Sequence, residues 1–199
     1  MEELNRTLFL MINASSHPAP TILALATFLA EWLIDGIPLL LAGMWLWGTP
    51  RDRTAAFTAT ASIAFALTCN QLISAVWPHP RPFMIGLGHS FLVHTPEASF
   101  PSDHATVFFT LGLPLIYAEL RKVGTAVFVL GGIVGWARVY LGVHFPYDIL
   151  GALWVALGSG CLVGHLLARW KLGERLLGLL ETLYRRAFAL PIAKGWVRA

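Results

Sequence analysis

An all-α, polytopic membrane bundle, with about five transmembrane helices and amphipathic segments at both ends, is the fold this 199-residue sequence predicts. Three observations predict it. Hydrophobic residues make up 56% of the chain and charged ones only 13%, whereas a soluble domain carries about 25% charged residues. Mean hydropathy is +0.65. Apolar runs recur that are long enough, at about 1.5 Å per residue, to cross a hydrocarbon core of about 30 Å. So few charges and so much apolar sequence exclude a disordered or collagen-like chain and argue against a nucleic-acid partner. The length suits one domain, 1–199.

The chain opens with a short amphipathic segment that ends at the polar, proline-bearing stretch 13–20. Its acidic start, Met1-Glu2-Glu3, is unlike the basic start of a signal peptide. Spans are expected at about 20–47, 54–77, 102–120, 123–143 and 146–170. The first is long enough to tilt or to kink near Asp35-Gly36. Glu31 and Asp35, four apart within it, are expected on one helix face. The long polar connection 78–101 holds five prolines and His79, His89 and His94, and a loop of that length reads as functional. Residues 174–190 place leucines at helical spacing between charges, as in an amphipathic helix on the membrane surface. Trp77, Trp136, Trp154 and Trp170 read as interface or packing aromatics. Cys69 and Cys161 fall inside spans and read as buried packing residues.

Charge sets the expected orientation. The turn 48–53, the Arg121-Lys122 turn and the C-terminal tail together hold eleven of the fourteen basic residues. Only Arg6, Arg81 and Arg138 remain for the other face. That asymmetry puts the tail in the cytoplasm and the loop 78–101 outside.

Two of those three arginines sit among other reactive side chains. Arg138 lies near the end of an apolar span, where an ionisable group is costly and marks a functional candidate. His144 and Asp148 follow it, and a helix starting at Pro146 would let them meet across its first turn. A carboxylate on one imidazole nitrogen fixes the tautomer and leaves the other nitrogen free as base or nucleophile. In Phe100-Pro101-Ser102-Asp103-His104, Ser102 is placed to cap the third span with its hydroxyl. The free N–H groups of that terminus would favour an anion, with His104 in the first turn as a proton donor. In Pro78-His79-Pro80-Arg81-Pro82, the flanking prolines hold Arg81 extended, presenting a guanidinium suited to bidentate phosphate binding.

Taken in order, Arg81-Pro82, Pro101-Ser102-x-His104 and Arg138-x5-His144-x3-Asp148 resemble the three-part signature of the type 2 phosphatidic acid phosphatase superfamily. The chain looks most similar to bacterial undecaprenyl pyrophosphate phosphatases of the bacitracin-resistance type. The resemblance implies His144 as nucleophile, Asp148 as its orienting carboxylate and His104 as general acid. It implies Arg81, Ser102, Arg138 and Asp103 as the phosphate-binding set, with N–H groups near the start of the third span. No metal and no cofactor are implied. The implied partners are a polyprenyl diphosphate and membrane lipids, and the implied place is a bacterial inner membrane, with the site facing the periplasm or exterior and recycling the cell-wall lipid carrier.

The chain departs from the superfamily pattern in three places. Ser74 stands where a Lys is usual, Asp103 replaces a Gly, and Ala137 replaces a Ser. A carboxylate at 103 would oppose a phosphate unless it paired with Arg81 or Arg138 or stayed protonated. Phosphatidic acid or phosphatidylglycerophosphate hydrolysis and lipid phosphotransfer use the same chemistry and remain open alternatives. A transporter would need polar groups deep in several spans, whereas here they collect at one mouth.

Overall fold

The computed structural model describes residues 2–169 and 171–199, and every regular element among them is helical. In chain order these are α1 (Glu2–Ile12), α2 (Pro20–Thr27), α3 (Gly36–Trp47), α4 (Pro50–Val76), α5 (Asp103–Tyr117), α6 (Arg121–Tyr140), α7 (Pro146–Arg169), α8 (Leu172–Ala187) and α9 (Ala189–Ala193). Four stretches are long and apolar enough to cross a membrane: Pro20–Trp47, Pro50–Val76, Arg121–Tyr140 and Pro146–Arg169. The chain is a multi-pass membrane protein.

The expected third span differs from the other four. Helix α5 has 15 residues, a length of about 22 Å at 1.5 Å per residue, and it packs against α4, α6 and α7. Every residue from Ala105 to Leu115 is buried. Composition could not separate a lipid-facing apolar helix from one buried in protein, and α5 is the second kind. Its approach to α6 is close because Gly112 and Gly124 face each other: a Cβ on either would press on the other's carbonyl. Small residues at such crossings let helix backbones come together where lipid supplies no hydrophobic drive.

The first span is broken rather than continuous. A π-helical turn, Phe28–Trp32, and a 3-10 turn, Leu33–Asp35, separate α2 from α3. The kink falls where Asp35-Gly36 predicts it. The same turns change the winding, so Glu31 and Asp35 are not held at ordinary α-helical spacing, and both are exposed.

Both ends of the bundle are defined by contacts. At one end Arg51 pairs with Glu119 at 3.0 Å, joining the α4 start to the α5–α6 turn. There, too, Arg53 is buried at 1% exposure. It donates to the carbonyls of Trp45 at 2.9 Å, Ala199 at 3.0 Å and Arg198 at 2.8 Å and lies 4.9 Å from the Tyr184 ring centre. By charge count Arg53 is one of the tail-side cations, but in the structure it clasps the tail and α8 to the bundle. Helix α8 matches the expected amphipathic segment, with Leu176, Leu179, Leu180 and Leu183 exposed and Tyr184 buried. Arg53→Ala is expected to cost about 2–4 kcal/mol, since several charge-assisted bonds and a buried side chain go together. A clear fall in thermal unfolding temperature in detergent checks this.

At the other end lie the loop 78–101, the start of α5, the α6–α7 connection and α1. Helix α1 docks there through Phe9, whose ring centre is 5.4 Å from that of Phe145. Asn5 Oδ1 also accepts from the Tyr147 N–H at 3.0 Å, capping the start of α7. Trp77, Trp136 and Trp154 are exposed, as interface residues should be; Trp170 lies outside the described residues. Cys69 and Cys161 are free thiols, but neither is fully buried and Cys161 is exposed. This corrects the packing expectation: their spans turn faces outward, where apolar residues meet lipid rather than protein.

Candidate active site

Helix α6 stops at Tyr140, and Gly142, at φ 83°, turns the chain back. A side chain at that φ would be strained, and here its Cβ would also strike the His89 carbonyl. The reversal delivers His144 just ahead of Pro146, the first residue of α7. His144 and Asp148 are 2% and 1% exposed, and His144 Nδ1 lies 3.2 Å from Asp148 Oδ2. The Phe145 N–H donates to that same oxygen at 2.8 Å, and the Ser99 hydroxyl donates to it as well. The other imidazole nitrogen, Nε2, lies 3.1 Å from Arg81 Nη1. A guanidinium only donates, so Nε2 is the acceptor and the ring proton sits on Nδ1, facing Asp148. The tautomer is thus set from both sides.

Arg81 is held as its prolines predict, with extended backbone followed by a 3-10 turn at Pro82–Ile85. Its Nη1 donates to the Val143 carbonyl at 3.0 Å and its Nη2 to that of Ala98 at 3.2 Å, while Nη2 lies 3.4 Å from Glu97 Oε1. Burial lowers its pKa, and Glu97 is the largest opposing charge. Arg138, in the last turn of α6, is 3% exposed and donates from Nη1 to the Ala30 carbonyl at 3.1 Å. Ala30 lies in the π-helical turn, where altered winding leaves a carbonyl open to an outside donor.

One expectation for the α5 start is corrected. Ser102 does occupy the N-cap position, yet its hydroxyl makes no capping bond and is buried without a partner. The Ser102 amide instead donates to the Asp148 carbonyl at 3.3 Å, which fixes α5 to α7. Asp103 pairs with neither Arg81 nor Arg138. It accepts from Asn70 Nδ2 on α4 at 2.7 Å, and the same nitrogen donates to Thr106 at 3.0 Å. Asn70 therefore ties down the first turn of α5 on both sides of His104. Ser74, at the usual Lys position, donates to the Phe100 carbonyl at 2.9 Å.

These elements enclose a cavity of about 180 Å³. Arg81, Asp103, His104, Arg138 and His144 line it together with Gln71, Ser74, His94 and Glu97. Asp148 stands behind His144 and does not line it. Buried donors without partners include Arg81 Nε, Arg138 Nε and the Ser102 hydroxyl. Ser102 does not line the cavity, but Arg81 and Arg138 do, and two guanidiniums at one cavity suit an oxyanion. Among the described residues, no three His, Cys, Asp or Glu side chains converge as a metal cage. Burial, with Arg138 and Arg81 close by, pushes the His144 imidazole well below its ordinary pKa despite the hydrogen bond that it donates to Asp148. His144 is neutral, with a lone pair on Nε2.

Sequence reasoning missed Ser99, Asn70, Glu97 and the Ala30 carbonyl. Asn70 was visible as a polar residue in an apolar span. The others carry no local pattern.

The PAP2 superfamily model matches residues 55–171, a stretch holding all three motifs. YbjG of Escherichia coli, for which undecaprenyl-diphosphatase activity is proposed, is 41% identical over 100% of this chain and 99% of its own length. The undecaprenyl-diphosphatase BcrC of Bacillus subtilis is 32% identical over 80% of this chain and 82% of its own. Among solved structures, LpxE of Aquifex aeolicus superposes with a TM-score of 0.70 at 22% identity, covering 80% of this chain and 94% of that one. Motifs, whole-length relatives and helical architecture agree, and the chain belongs to the PAP2 superfamily.

Proposed function

We propose that the protein removes the terminal phosphate of undecaprenyl diphosphate, giving undecaprenyl phosphate and inorganic phosphate by way of a phosphohistidine. The observation that carries this reading is the oriented His144 facing a cavity that Arg81, Arg138 and His104 also line. His144 Nε2 leaves Arg81 and attacks the terminal phosphorus. The N–P bond forms as the P–O bond to the lipid phosphate breaks, and His104, on the same cavity wall, protonates the leaving oxygen. Asp148 stabilises the imidazolium that develops. Arg81, Arg138 and Ser102 hold the equatorial oxygens, where charge collects in the transition state. Water then attacks the phosphohistidine, His104 takes its proton, and phosphate leaves with His144 restored.

The relatives support the choice of lipid, since a diphosphatase named for undecaprenyl diphosphate aligns over most of the chain. The distribution of charge supports an orientation with the site facing the periplasm or exterior of a bacterial inner membrane. Arg51, Arg53 and the tail share the end opposite Arg81 and Arg138, and basic residues gather on the cytoplasmic side. In that setting the reaction returns the lipid carrier of cell-wall synthesis to use and draws on the pool that bacitracin targets.

The test is phosphate release by detergent-purified protein in EDTA, from undecaprenyl diphosphate and from phosphatidic acid. Release that favours the prenyl lipid is expected. Preference for phosphatidic acid would keep the chemistry and change the substrate; no release from either lipid by folded protein would overturn the proposal.

The acid limb of the rate should also be displaced. A lowered His144 pKa keeps the nucleophile neutral as pH falls through the ordinary histidine range. The acid limb of kcat/KM, which reports the free enzyme, is therefore expected below about pH 6. A limb centred at about 6.5 that His144 substitution shows to be its own titration would contradict this.

A further inference from the structure

We infer that Glu97 is a built-in competitor of phosphate for Arg81 and thereby limits how firmly the site retains its product phosphate, an inference that rests on the site assignment above. Three carboxylates act on Arg81, and they are held differently. Asp148 Oδ2 is fixed by Ser99, Phe145 and His144, and Asp103 by Asn70. Glu97 is held by neither kind of anchor. Its side chain is 62% exposed, and its contacts are Arg81 Nη2 at 3.4 Å and His94 Nδ1 at 3.8 Å. A firm charge-assisted bond is about 2.7–2.9 Å, so this carboxylate rests on Arg81 loosely.

The asymmetry decides which partner can leave. Arg81 is 4% exposed and loses a counter-charge in a dry setting if Glu97 departs alone. Glu97 sits in the loop 78–101 outside any helix and can turn into water, leaving no buried charge of its own. An anion arriving in the cavity can therefore exchange with it. Exposed ion pairs shift an equilibrium by about fivefold or less, which bounds the effect. Free inorganic phosphate must overcome that factor with its solution concentration alone. A lipid-borne phosphate is presented by its membrane anchor at high effective concentration and overcomes it readily. The same carboxylate returns to Arg81 as the product phosphate leaves, so it also limits product inhibition.

The experiment measures inorganic phosphate as a competitive inhibitor of undecaprenyl diphosphate hydrolysis, in one detergent, for the unaltered protein, Glu97→Gln and Glu97→Ala. In both variants the inhibition constant for phosphate is expected to fall about two- to fivefold. A loosened or misfolded site would raise that constant, so a fall separates competition from a structural role. An unchanged or higher constant in an active variant would overturn the inference. So would loss of activity in both folded variants, since it would make Glu97 a requirement of the reaction. If the unaltered protein shows no His144-dependent release, the site assignment itself fails; His144-dependent release with an unmoved inhibition constant removes only the role of Glu97.

Discussion

Replacing His144 by alanine is expected to lower kcat by about 10⁴-fold or more, because the proposed mechanism assigns it the bond to phosphorus, and no remaining cavity residue has both its position and its tautomer. The neighbouring His104 cannot substitute: it stands on α5, without the Asp148 contact that fixes His144. The loss should be accompanied by disappearance of a covalent intermediate. Rapid quenching of unaltered protein with substrate labelled in the terminal phosphate should trap label on the chain in an acid-labile, base-stable form. His144→Ala should carry none. His144→Gln fills more of the buried site and guards against a collapse of the fold. If either folded variant retains substantial hydrolysis, or still traps label, the nucleophile lies elsewhere.

Asp148→Asn should have the second largest effect, about 10²–10⁴-fold in kcat with little change in KM. Asp148 Oδ2 accepts from three donors at once. An amide oxygen in its place satisfies them more weakly and carries no charge to balance the imidazolium. An amide nitrogen there would force the imidazole proton onto Nε2 and remove the attacking lone pair. Either arrangement acts on the chemical step rather than on lipid binding. The prediction is therefore a split between kcat and KM, read from steady-state rates beside unfolding temperatures. A variant with near-normal kcat would show that Arg81 alone holds the tautomer.

The spacing of His144 and Asp148 was legible because helix geometry brings residues four apart together at a first turn. Arg138 was legible because a charge near the end of an apolar run is costly. Long spans followed from length and hydropathy. The remaining features depend on approach in three dimensions. Ser99 reaches Asp148 across 49 positions, and Asn70 reaches Asp103 across 33, so no local window contains either pair. The π-helical turn leaves no side-chain signature, because what it contributes is a backbone carbonyl. Arg53 was counted among the solvated cations of one face, since charge counting does not distinguish a solvated arginine from one that grips the chain.

The enclosure of α5 has a consequence for how the enzyme answers to its surroundings. Bilayer thickness acts on proteins by tilting helices that present apolar sides to lipid. Helix α5 presents almost none, and it bears Ser102, Asp103 and His104 at its start while locking to α7 through the Ser102 amide. His104 therefore hangs from a frame that changes in acyl-chain length do not grip directly. Arg138 is different, because its Ala30 partner belongs to the lipid-exposed first span. Asp148 likewise belongs to a lipid-exposed span, α7, so bilayer thickness can reach this site through the Arg138 contact and through the carboxylate that orients His144, while the first turn of α5 stays shielded.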